Sequence, residues 1–118
     1  MRRYLVAGNW KLNMGPAAGR ELAQDVANLL AGRELKGDVL VCPPFVSIPA
    51  VGQAATGDPV LLGAQNCADQ AGGAYTGEVS AEMLAEAGCQ YVIVAHSERR
   101  EYQEETDDMF VAKIDLIH

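Results

Sequence analysis

Four apolar runs of strand length, YLVA (4–7), DVLVC (38–42), VLLGA (60–64) and YVIVA (91–95), limit this chain more than any other feature. Each is continuous rather than alternating, the pattern of strands buried on both faces of a parallel sheet. Helical segments separate them. AAGRELAQDVANLLAG (17–32) sets Leu22, Val26, Leu29 and Leu30 on one face, and shorter segments follow at 46–55 and 80–87. Ser80 is suited to cap the second of these and Gly88 to close it; Thr106, followed by Asp107 and Asp108, is suited to open a last helix. The order β-α-β-α-β-α-β-α predicts βαβ units with right-handed crossovers, an α/β fold built on a parallel sheet.

At 118 residues the chain suits a single domain, 1–118, around one core. Sixteen acidic against nine basic residues give a net charge of −7, with no basic stripe, so nucleic acid is not an expected partner. Cys42, Cys67 and Cys89 are odd in number, far apart and in or beside apolar runs. They suggest neither a disulfide framework nor a metal site, and buried thiols in a reducing cytoplasm are expected. The opening MRRYLVAGNWK has an apolar run too short for a secretory signal, and no stretch is long and apolar enough to span a membrane.

In parallel α/β sheets the loops that leave the carboxyl ends of the strands share one rim, where chemistry collects. Asn9 and Lys11 follow the first run, Gln65 and Asn66 the third, and His96 and Glu98 the fourth. One cation, one imidazole and several amides on one rim suit an anionic, carbonyl-bearing small molecule.

Six stretches now fall in a telling order: GNWKLN (8–13), CPPF (42–45), GAQN (63–66), GAYTGE (73–78), AHSERR (95–100) and ETDD (105–108). They resemble successive motifs of the triosephosphate isomerase family, from residue 4 to about Lys113, whereas IDLIH (114–118) matches no motif of it. The resemblance implies half of a (β/α)8 TIM barrel, its first four β/α units. It also implies the cofactor-free interconversion of dihydroxyacetone phosphate and glyceraldehyde 3-phosphate, in glycolysis and gluconeogenesis.

By that resemblance His96 and Lys11 would be catalytic. Lys11 would meet the substrate's anionic end and the developing enediolate, with Asn9 hydrogen-bonding beside it. His96 would polarise the carbonyl and shuttle protons, this family being a standard illustration of a histidine kept neutral by a helix N-terminus. Ser97 would support the turn behind His96, Glu98 would serve the lysine, and Thr76 would be a dimer contact reaching a second subunit's site. No cofactor and no metal are implied.

Taken alone, each of these residues has a plainer reading. His96 could cap a loop, Lys11 and Glu98 could be solvated charges worth about 0–1 kcal/mol if paired, and Asn9 and Asn66 could serve turns. Trp10 could be packing, Thr76 beside Gly77 a turn, and Arg99 and Arg100 a solvated face.

Enolisation also needs a base, which the family keeps after its sixth strand, and neither Glu98 nor Glu78 has an evident route to the substrate's far side. A whole barrel takes about 250 residues, so four strands would leave two open edges and half of an apolar interior to cover. Self-association is therefore expected. Three functions stay open: isomerase chemistry, weak alone; a non-catalytic half-barrel assembly module; and a small phosphate-binding protein without turnover.

Overall fold

The computed structural model describes residues 2–55 and 59–118. Strand β1 (Tyr4–Asn9) leads into helix α1 (Pro16–Leu30), and β2 (Gly37–Cys42) passes through a 3-10 turn, Phe45–Ser47, into α2 (Ile48–Ala54). After β3 (Val60–Ala64) come α3 (Ala81–Glu86), β4 (Tyr91–Val92), α4 (Ser97–Tyr102) and α5 (Asp107–Ile117). The strands lie in the order β1-β2-β3-β4, every neighbouring pair parallel. They form one curled sheet, the half-barrel of the expected α/β class, with helices packed against it.

The helix ends follow local chemistry. Ser80 Oγ accepts the amide of Met83 at 3.2 Å to open α3, and Thr106 Oγ1 accepts that of Met109 at 3.4 Å to open α5. Gly88, at φ +100°, lets the chain turn from α3 into β4. The SERR stretch is a separate short helix, α4, so two helices follow the fourth strand rather than one. IDLIH continues α5 to Ile117.

Burial departs from the sequence expectation at two places, for one reason. Leu40, Val41 and Cys42 of β2 and Val60, Leu62 and Ala64 of β3 are in the core, but Tyr4, Leu5 and Val6 of β1 are 68%, 49% and 65% exposed. An apolar run is buried on both faces only where neighbours cover it, and β1 and β4 are the sheet's edges. β4 is correspondingly short, although Gln90 and Ile93 extend its bonding to Leu62 and Ala64. On α1 the inward face is Gly19 and Ala23, with Val26, Ala27 and Leu30 packed partly against the core, while Leu29 points to solvent. Small residues win this face because α1 lies close over α2: a Cβ at Gly19 would sit 3.3 Å from Val51 Cγ2.

Candidate active site

The loop after β1 is held at both ends of one residue. Asn9 Oδ1 accepts the Lys11 amide at 3.0 Å, and Gln65 Nε2, from the end of β3, donates to the carbonyls of Lys11 and Cys42 at 2.8 Å each. Asn13 Nδ2 adds a 2.8 Å bond to the Trp10 carbonyl. Lys11 is thereby fixed in the left-handed region at φ +56°, a conformation that costs a non-glycine residue on the order of 1 kcal/mol. A residue kept there by two side chains, Asn9 on its amide and Gln65 on its carbonyl, is aimed, and its side chain is 57% exposed.

The loop after β4 is built the same way. Ala95 is left-handed at φ +66° and turns the chain so that His96 becomes the N-cap of α4. His96 Nδ1 accepts the Glu98 amide at 3.1 Å. With Nδ1 engaged as an acceptor, the proton of the neutral ring sits on Nε2, leaving that N–H to donate. Glu98 Oε1 lies 3.7 Å from Nδ1, and its closer partner is Lys11 Nζ at 3.2 Å.

These groups share a cleft of about 310 Å³ at the carboxyl ends of the strands, lined among others by Asn9, Lys11, Gln65, His96 and Glu98. Four of the six singled-out residues, Asn9, Lys11, His96 and Glu98, therefore meet in one place. Ser97 is exposed in the first turn of α4, and Thr76 is exposed in the long loop after β3, where Glu78 N bonds Tyr75 O and Gly77 takes φ +92°. Neither lines the cleft. Trp10 packs partly buried against the core.

Sequence reasoning missed the ionic cluster beneath this site. Arg99 is no solvated face: its Nε and one terminal nitrogen lie 2.9 Å from Glu105 Oε2, which also takes Lys113 Nζ at 2.7 Å. Lys113 donates a further 2.7 Å bond to Asn66 Oδ1, so Asn66 is a buried partner rather than a turn residue. The cluster ties α5 and α4 to the end of β3. Burial alone would push the Glu105 carboxyl up, but the Arg99 and Lys113 hydrogen bonds and charges outweigh it and hold it below the usual value. A signal did exist: Lys113 stands three residues from Phe110 on the inward face of a helix, where a lysine requires a partner. Arg100 stacks over the Phe110 ring at 4.4 Å and pairs with Asp107 at 2.9 Å, half exposed.

The cysteines offer no nucleophile. Burial pushes the Cys42 and Cys89 thiols up to about 11, so both stay protonated at neutral pH. Among the described residues no three His, Cys, Asp or Glu side chains gather as a metal site, and no helix is long and apolar enough to cross a membrane.

Known proteins share this construction. A family model described as triosephosphate isomerase matches residues 4–118, which takes the resemblance through the IDLIH tail. The triosephosphate isomerase of Phocaeicola vulgatus is 45% identical over 116 residues, and that of Magnetococcus marinus 48% over 114. These matches cover 98% and 97% of this chain but 46% and 45% of the relatives, so the chain spans about half the length of the curated relatives it matches. In the solved triosephosphate isomerase of Bartonella henselae, a TIM barrel, the likeness has a TM-score of 0.87 at 37% identity, over 98% of this chain and 47% of that one.

Proposed function

Because the chain belongs to the triosephosphate isomerase family, we propose that its rim binds a triose phosphate and supplies the electrostatic half of the aldose–ketose isomerisation. One observation carries this reading: the Lys11 ammonium and the His96 ring both lie within 3.7 Å of Glu98 Oε1, with the Nε2 proton of His96 left to donate. Enolisation places negative charge on the substrate's carbonyl oxygen. A preorganised N–H and a fixed ammonium stabilise that charge without reorganising as the reaction proceeds. His96 Nε2–H donates to the oxygen, Lys11 faces the phosphate and the enediolate, and Asn9 and Gln65 keep the lysine's backbone in its strained turn.

The proton α to the carbonyl needs a base. Glu98, the carboxylate that lines the cleft, is occupied by Lys11 and lies on His96's own side. The 118-residue chain on its own is therefore a poor isomerase: an absent general base alone costs ~10²–10⁴-fold. The family reading carries with it a cytoplasmic place in glycolysis and gluconeogenesis, and Thr76, exposed at its turn, as the residue that reaches a second subunit.

The test is conversion of glyceraldehyde 3-phosphate to dihydroxyacetone phosphate by purified chain, against His96→Ala prepared identically. Residual turnover that vanishes with His96 supports the reading. Equal rates in the two proteins would reduce it to its alternative, an anion-binding half-barrel, which the half-exposed Lys11 favours. In that case phosphate still raises the melting temperature although no chemistry follows.

A further inference from the structure

Helix α5 opens on a capping box with an uncommon member. Thr106 Oγ1 accepts the Met109 amide at 3.4 Å, and in return the Thr106 amide donates to Met109 Sδ at 3.5 Å. The second place is ordinarily filled by a side-chain oxygen of Glu or Gln. A thioether sulfur is a weak acceptor, so this box closes with the usual connections and a poor partner. Helix α3 offers a comparison within the same chain. Met83 stands in the same place after Ser80 and gives its amide to Ser80 Oγ at 3.2 Å, but its side chain is 59% exposed and its sulfur returns no bond.

The helix that this box opens bears on the site. One turn after Met109, α5 delivers Lys113 to Glu105 and Asn66 at 2.7 Å each, and Glu105 holds Arg99 of α4, the helix that His96 caps. Met109 itself is half-buried and takes no part in the apolar core. Its side chain can therefore become polar without opening a cavity or burying a dipole among hydrocarbon.

We propose that Met109 is a modification site for hydrogen peroxide, and that its oxidation to the sulfoxide strengthens the start of α5. A sulfur lone pair attacks one peroxide oxygen, the S–O bond forms as the O–O bond breaks, and the departing hydroxide takes the proton of the transferred oxygen to become water. Sulfur loses two electrons and the peroxide gains them. Rotation about the thioether bonds brings the new oxygen to the Thr106 N–H, where it stands in for the oxygen of an ordinary Gln box. Methionine oxidation commonly damages a fold by placing a polar group in apolar packing, whereas here the oxygen meets a donor already in position. Sulfoxide reductases return the thioether, so the change is reversible. The thiols compete poorly: peroxide reacts with thiolates, and Cys42 and Cys89 stay protonated at neutral pH.

The test treats the 118-residue chain with hydrogen peroxide, follows each methionine by peptide mass spectrometry and records thermal unfolding. Met14→Leu and Met83→Leu are introduced first, to leave Met109 as the one methionine beyond Met1. In that background oxidation at Met109 should raise the melting temperature by about 2 °C, and sulfoxide reductase should reverse the rise. Met109→Gln supplies the oxygen permanently. It should give a similar rise without peroxide and no further response to it, whereas Met109→Leu, which has no acceptor, should melt no higher than its parent and ignore peroxide. A fall in melting temperature on oxidation overturns the proposal, as does a Met109 left unmodified while Met83 of the wild type is fully converted. So does a rise confined to Met109→Gln, or no change with either oxygen, because the sulfoxide would then not close the box.

Discussion

Two lysine–glutamate pairs lie a few side chains apart and differ in almost everything but composition. Lys11 and Glu98 meet at 3.2 Å with side chains 57% and 39% exposed, whereas Lys113 and Glu105 meet at 2.7 Å with 3% and 4% exposed. The first pair is screened by water and adds little to folding, which leaves its lysine free to exchange a carboxylate for an incoming anion. In the second pair each ion is already removed from water, so each depends on the other to offset its desolvation. One arrangement supplies a binding charge and the other locks the elements that carry it: Arg99 on α4 and Asn66 after β3 both anchor to the buried cluster.

The strongest way to break the comparison is Lys113→Met, which strands the Glu105 carboxylate with only Arg99 beside it. Removing one member of a buried pair costs about 3–5 kcal/mol, measured here by urea unfolding. A loss below ~1 kcal/mol would mean that the pair is wetter than its burial suggests. Pairing that change with Glu105→Leu should recover much of the loss, because two apolar residues leave no buried charge. A double variant no better than Lys113→Met would point to packing as the missing factor.

Acid titration sharpens the same point. The folded Glu105 carboxyl lies below its usual value of 4.5, so its contribution to stability is complete above that value and is lost as pH falls through the lower folded value. Glu105→Gln should flatten the stability profile below pH 4.5 relative to the wild type and lower it above. Parallel profiles would contradict the assignment. The smallest change belongs to the exposed pair: Lys11→Ala should shift unfolding by no more than about 1 kcal/mol. A larger loss would make Lys11 structural.

The parts that were legible in the sequence were those governed by local pattern. Continuous apolar runs located all four strands, and the hydroxyls of Ser80 and Thr106 located two helix starts. The rim position of Lys11, His96 and Glu98 followed from the rule that loops leave a parallel sheet on one side. What the sequence did not show depends on neighbours distant along the chain. Leu29 has the periodicity of a core residue, yet α1 is pressed so close to α2 that Gly19 and Ala23 take the inward face. Val6 has the composition of a buried strand residue but is exposed for lack of a strand beside it. Arg99, Glu105 and Lys113 look like surface charges one by one, and only the meeting of α4, α5 and the end of β3 makes them a cluster.

Lys11 is the cation kept available at the rim. The most direct measurement is therefore a titration of the chain with dihydroxyacetone phosphate, followed through the His96 imidazole nitrogens by NMR and repeated on Lys11→Ala. We expect saturable binding, with the His96 Nε2–H resonance shifting as it meets the carbonyl and the affinity falling at least tenfold without the lysine. Binding of equal strength in both proteins, or a His96 signal indifferent to ligand, would contradict the assignment of this cleft as a triose phosphate site.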